Sequence, residues 1–101
     1  MVQGGSAQGD AAPQAPADLS PPQQALWWLK QGGFAMGPEW QLAHRLCQLD
    51  EGTRDHDLVH ALCHWIEGDL GNRDYWYRRL APWVRAETIA AEWDAVHAAL
   101  G

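Results

Sequence analysis

From Ser20 to the C-terminus the apolar residues recur at helical spacing, and no stretch alternates with the period of two that a strand requires. Ser20 followed by Pro21 and Pro22 marks a helix start, because serine caps the first turn and proline there forfeits only an N–H that has no intrahelical partner. Leu26, Trp27 and Leu29 follow, and Gly32-Gly33 ends the element. Phe34 and Met36 cross a connection to Gly37-Pro38, which opens a second helix over Pro38 to Leu49 with Trp40, Ala43, Leu46, Cys47 and Leu49 on one face. The polar run Asp50 to Arg54 is a loop, and Asp55 is the expected cap of a third helix over His56 to Glu67.

That third helix is apolar around more than half of its circumference, which predicts the most buried element of the fold. Its remaining narrow stripe is Asp57, His60, His64 and Glu67. Gly68 stops it, and Asp69, Gly71 and Asn72 supply a turn and a cap. A fourth helix carries Tyr75, Trp76, Tyr77 and Leu80 as far as Pro82. The last, over Ala86 to Leu100, places Ile89, Trp93, Val96 and Leu100 on one face. The expected fold is all-α, a compact array of about five short helices in antiparallel hairpins.

Composition changes this picture at the N-terminus. Residues 1–19 are dominated by Gly, Ala, Gln and Pro and lack the apolar content that offsets the entropy of ordering, so they are expected to form a disordered tail before a single helical domain over 20–101. A core of about 80 residues supplies only about 3–5 kcal/mol. The seven tryptophans bear on that limit, since each aromatic buries about 150–250 Å². The net charge of −6 argues against nucleic acid as a partner, which needs a concentrated basic surface. Arg73, Arg78, Arg79 and Arg85 are the one local basic group, and they read first as the solvated face of a helix. No apolar run approaches the roughly 20 residues of a membrane span, and no basic-then-apolar leader is present at the N-terminus. Cys47 and Cys63 lack metal-type spacing and are expected to be reduced, buried residues of a cytoplasmic protein.

The run from His60 to Leu80, HALCHWIEGDLGNRDYWYRRL, resembles one helix-turn-helix unit of the tetratricopeptide class, in which a Gly-Asp turn separates two helices. No second copy follows at a period of about 34 residues. From Trp40 onwards the chain is also similar to a family of small uncharacterised helical proteins with an AH motif upstream of HAxxHxxEGDxxNAxYWYRRA. The matching residues are Ala43 and His44, then His60, Ala61, His64, Glu67, Gly68, Asp69, Asn72, Tyr75, Trp76, Tyr77, Arg78 and Arg79. Arg73 and Leu80 stand where that pattern has alanine. The resemblance implies a shared fold and no activity.

Two function classes remain. A helical interaction module that takes another protein as partner is the first, because its aromatic hairpin and its Arg78-Arg79 pair are residue types enriched at binding hot spots. The second is a ligand site on the central helix. An HxxxH pair puts the imidazoles of His60 and His64 on one face, with Glu67 a turn further on. Zinc or another divalent metal would then need His44, or Asp94 and His97, to arrive from other helices. Alternatively Trp40, Trp65, Tyr75, Trp76 and Tyr77 line a small-molecule pocket with His60, His64 and Arg78 as polar anchors. The same residues also fit a purely structural role as the polar edge of the helix or as bonded groups between helices. Catalysis without a metal has no signature: Cys63 and His64 are adjacent, and neighbours on a helix point about 100° apart.

Overall fold

Ser20 opens α1 (Pro21–Gln31) with its backbone extended. Its Oγ accepts from the Gln23 N–H while the Gln23 side chain accepts from the Ser20 N–H, so two donors at the helix end are satisfied reciprocally. The computed structural model describes residues 14–101; the first thirteen residues of the expected tail lie outside the described residues. Residues 14–19 are irregular, and Gln24 ties them to α1 by donating to the carbonyls of Pro16 and Leu19.

After α1 the chain reverses through Gly33 and Phe34, both at positive φ, into α2 (Pro38–Cys47). A 3₁₀ turn over Gln48–Asp50 follows. Its tighter winding, about 120° rather than 100° per residue, takes Leu49 off the face that Ala43 and Cys47 bury. Leu49 was expected on that face and is 67% exposed.

Helix α3 (Arg54–Glu67) begins two residues before the expected start, so Asp55 sits in its first turn and Thr53 occupies the cap position. Gly68 ends it in the left-handed conformation at φ 84°, where its N–H reaches back to the His64 and Trp65 carbonyls. Asp69 then caps α4 (Leu70–Arg79) by accepting from the Asn72 N–H at 3.2 Å. Residues 80–88 are irregular, and α5 (Ile89–Leu100) starts three residues later than Ala86, where Thr88 Oγ1 accepts from the Ala91 N–H.

Among the described residues the result is the all-α array of five helices expected, with α1–α2 and α3–α4 as the two hairpins and α3 at the centre. That helix packs against α1, α2, α4 and α5. Every residue from His56 to His64 is buried, apolar and polar alike. Around Leu58, Val59, Ala61, Leu62 and Cys63 gather Ala25, Leu26 and Leu29 of α1, Ala43 and Cys47 of α2, and Trp93 and Val96 of α5. Each fully buried Leu or Val there contributes about 1.5–3 kcal/mol. Indole N–H groups fasten helices to one another: Trp40 donates to the Cys63 carbonyl at 2.9 Å and Trp93 to the Leu26 carbonyl at 2.7 Å. Both cysteines are free and buried, and burial pushes the Cys47 thiol up. No described helix is long and apolar enough to cross a membrane.

The segment between α4 and α5 is held by Glu92, a carboxylate with no exposed surface. Its Oε2 accepts from Tyr77 Oη at 2.8 Å and from Trp83 Nε1 at 2.9 Å, and its Oε1 accepts from the Ala86 N–H at 2.9 Å. Burial first, and then the Glu92 charge, raise the Tyr77 phenol, which keeps it a donor. Asp57, expected on the polar edge of α3, is likewise buried, because it accepts from the Gly52 N–H at 3.0 Å and so pins the α2–α3 connection.

Candidate metal centre

Positions four apart on a helix share a face, and two such pairs meet between α2 and α3. On α2, His44 lies flat on Trp40 with ring centroids 4.7 Å apart and planes 9° from parallel. The Trp40 indole is itself fixed by its bond to Cys63, so this stack aims His44 at α3. On α3, His60 and His64 stack with centroids 4.7 Å apart, and Trp76 of α4 backs the His60 ring at 4.6 Å.

The three imidazoles converge. One ring nitrogen of each of His44, His60 and His64 lies within 4.8 Å of those of the other two. The His44 and His60 Nε2 atoms are 3.1 Å apart. Two nitrogens held tetrahedrally on zinc at 2.0–2.1 Å stand about 3.3 Å apart, so this pair is already at ligand spacing. His64 turns its Nδ1 to Glu67 Oε1 at 2.6 Å. That bond holds the ring in place and leaves Nε2 as its free lone pair. On the far side, His60 Nδ1 is buried without a hydrogen-bond partner among the described residues, and the Glu51 carboxylate stands 4.0 Å from it.

Burial, then the neighbouring His64 and His44, bring the pKa of His60 down to about 4. Burial and His64 also lower His44, against the weaker upward pull of Glu67 and Glu51. Both rings are therefore neutral near pH 7, the state in which imidazole offers a lone pair.

Of the residues singled out in the sequence, six assemble here: Trp40, His44, His60, His64, Glu67 and Trp76. His44 is the residue that crosses the bundle, whereas Asp94 is exposed and His97 stacks on Trp93. Tyr77 is turned away to Glu92. Tyr75 is 44% exposed, with Arg79 over its ring and donating to its hydroxyl at 3.3 Å. Arg78 is exposed, and the guanidiniums of Arg73 and Arg85 lie over Trp65 instead of forming an open basic face. Cavities of about 470, 310 and 230 Å³ lie elsewhere, and none of the expected pocket residues lines any of the three.

Sequence reasoning missed Glu51, which it left in a loop, and Asp69, which it read as a cap. Asp69 joins Glu67 and His64 in a second group whose ligand atoms also lie within 4.8 Å of one another. Each group thus brings three side chains of metal-ligating type within reach of one point. The first is nitrogen-rich, with His60 and His64 buried and His44 half-buried; in the second Glu67 and Asp69 are exposed, and Asp69 already caps α4. Comparison with family models, with curated proteins and with solved structures gives no match for this chain.

Proposed function

We propose that this protein binds a divalent transition metal, zinc in the first instance, through the imidazoles of His44, His60 and His64. The observation that carries this is the convergence of three ring nitrogens from two helices, two of them 3.1 Å apart, in a setting that keeps His44 and His60 neutral. Three imidazoles suit zinc, copper, nickel or iron and not magnesium or calcium, which take oxygen ligands. Three protein ligands also leave one tetrahedral position for water or an added ligand. Glu67 acts as the group that orients His64, not as a fourth ligand, because its carboxylate is engaged at the Nδ1 of that ring.

Isothermal calorimetry with zinc on the wild type and on His64→Ala tests the reading. One ion per chain in the wild type and a large loss of affinity in the variant are expected. No stoichiometric binding to the wild type rejects it.

Protein recognition is a second reading, supported by one surface. Tyr75 and Leu70, 44% and 49% exposed on α4, lie on the hairpin that resembles a tetratricopeptide unit, and Arg79 is stacked beside Tyr75. Tyr77 no longer belongs to that surface, since its hydroxyl is consumed by Glu92. If the surface captures a partner, Tyr75→Ala removes capture in pull-down experiments and leaves the melting temperature nearly unchanged.

A further inference from the structure

His60 poses a proton problem that His64 does not. In the hydrogen bond between the two Nε2 atoms of His44 and His60, one nitrogen must carry the proton. A metal ion there requires lone pairs on both, so a neutral His60 must then hold its proton on Nδ1. That atom is buried, and no described residue accepts from it. The nearest carboxylate oxygen is Glu51 Oε2 at 4.0 Å, which is beyond hydrogen-bond range by about 1 Å.

Glu51 is able to close that gap. Its side chain is 48% exposed, so it is free to change rotamer, and it follows directly on the 3₁₀ turn over Gln48–Asp50. The next residue, Gly52, is anchored by its N–H to buried Asp57, and this fixes the backbone from which Glu51 reaches inward. The arrangement would repeat the one at the neighbouring ligand, where Glu67 already accepts from His64 Nδ1 at 2.6 Å.

We propose that Glu51 is a positioning residue of the metal centre: metal loading places the His60 proton on Nδ1, and the Glu51 carboxylate moves in to accept it. This rests on the metal-binding reading above. Where His60 carries its proton on Nε2 before loading, that proton moves to Nδ1 of the same ring; where His44 Nε2 is the donor, His60 already holds its proton on Nδ1 and the His44 proton moves to its own Nδ1, so both rings stay neutral. Two of the three ligands are then carboxylate-histidine pairs, and the α2–α3 connection becomes part of the site. Occupancy of the site and order in that connection are thereby coupled.

The test is zinc affinity by chelator competition at pH 7 for wild type, Glu51→Ala and Glu51→Gln, with imidazole N–H signals of the loaded proteins followed by NMR. Glu51→Ala should weaken zinc binding about 10–100-fold, the usual effect of losing such a partner. Glu51→Gln, which still offers a carbonyl acceptor, should recover part of it. A His60 Nδ1–H signal protected from exchange in the loaded wild type should be lost in Glu51→Ala. The metal-free melting temperature should hardly change, since the side chain is half-exposed. Wild-type affinity in Glu51→Ala overturns the role of Glu51 and leaves the metal centre standing. Failure of the wild type to bind zinc overturns both.

Discussion

Glu92→Ala is expected to be among the most damaging substitutions in this chain, and its effect follows from three hydrogen bonds. The carboxylate is fully buried and accepts from Tyr77 Oη, Trp83 Nε1 and the Ala86 N–H at 2.8–2.9 Å. Its removal leaves those donors without their acceptor. Each donor that stays dry costs about 1–3 kcal/mol. Trp83 and Ala86 are only partly buried and water reaches them, whereas Tyr77 sits in the core. The loss is therefore about 3 kcal/mol, from the dry Tyr77 donor and, at a lower cost each, the two donors that water reaches. A core of this size supplies only about 3–5 kcal/mol in total, so the variant should be left with marginal stability at 25 °C. Urea titration followed by far-ultraviolet circular dichroism and tryptophan fluorescence measures it. Glu92→Gln keeps the shape but turns an NH₂ toward donors and should fall between the two. Tyr77→Phe removes a single bond and should cost about 1–3 kcal/mol. A loss under about 1 kcal/mol for Glu92→Ala would refute the view that this residue clasps α4, the connecting segment and α5 together.

Two further outcomes follow from the histidine cluster. The folded pKa of His60, about 4, lies below the unfolded value of about 6.5, so the unfolded chain takes up the proton more readily. Stability is thus complete above pH 6.5 and declines as pH falls toward 4, by about 3 kcal/mol across that window. Urea midpoints at pH 7.5 and pH 4.5 check this, with His60→Gln expected to flatten the slope; an unchanged wild-type midpoint contradicts it. Trp40→Phe should lower stability by about 1–2 kcal/mol through the lost bond to Cys63 and weaken zinc binding as well, because His44 loses its indole platform. Equal zinc affinity in that variant, by calorimetry, speaks against the platform.

The elements of the fold were legible where a single residue type does a local job. Ser20 before two prolines, Pro38 after Gly37 and Gly68 after a buried helix each act within one turn, and each does in the structure what its chemistry predicts. Helix α3 was identified as the most buried element because apolar residues cover most of its circumference. What periodicity could not reach was the fate of polar residues whose partners lie elsewhere in the chain. Asp57 looks like a solvated edge until Gly52 supplies an N–H, and Glu92 looks like the polar side of an amphipathic helix until Tyr77, Trp83 and Ala86 close on it. The same holds for the site. The His60 and His64 pair is written in the i, i+4 spacing of one helix, but which third ligand joins it depends on how α2 packs. His44 arrives because Trp40, one turn earlier on α2, is bonded to α3. Glu51 carries no sequence signal at all, since its role depends on a 4.0 Å approach across a turn.

On the metal-binding proposal, His44, His60 and His64 together hold one ion. Anomalous diffraction at the zinc edge from crystals of the zinc-loaded chain tests it most directly. One peak per chain is expected between α2 and α3, about 2.0–2.1 Å from a ring nitrogen of each of the three histidines. A peak on Glu67 and Asp69 at the surface instead, or no peak between the helices, would contradict it.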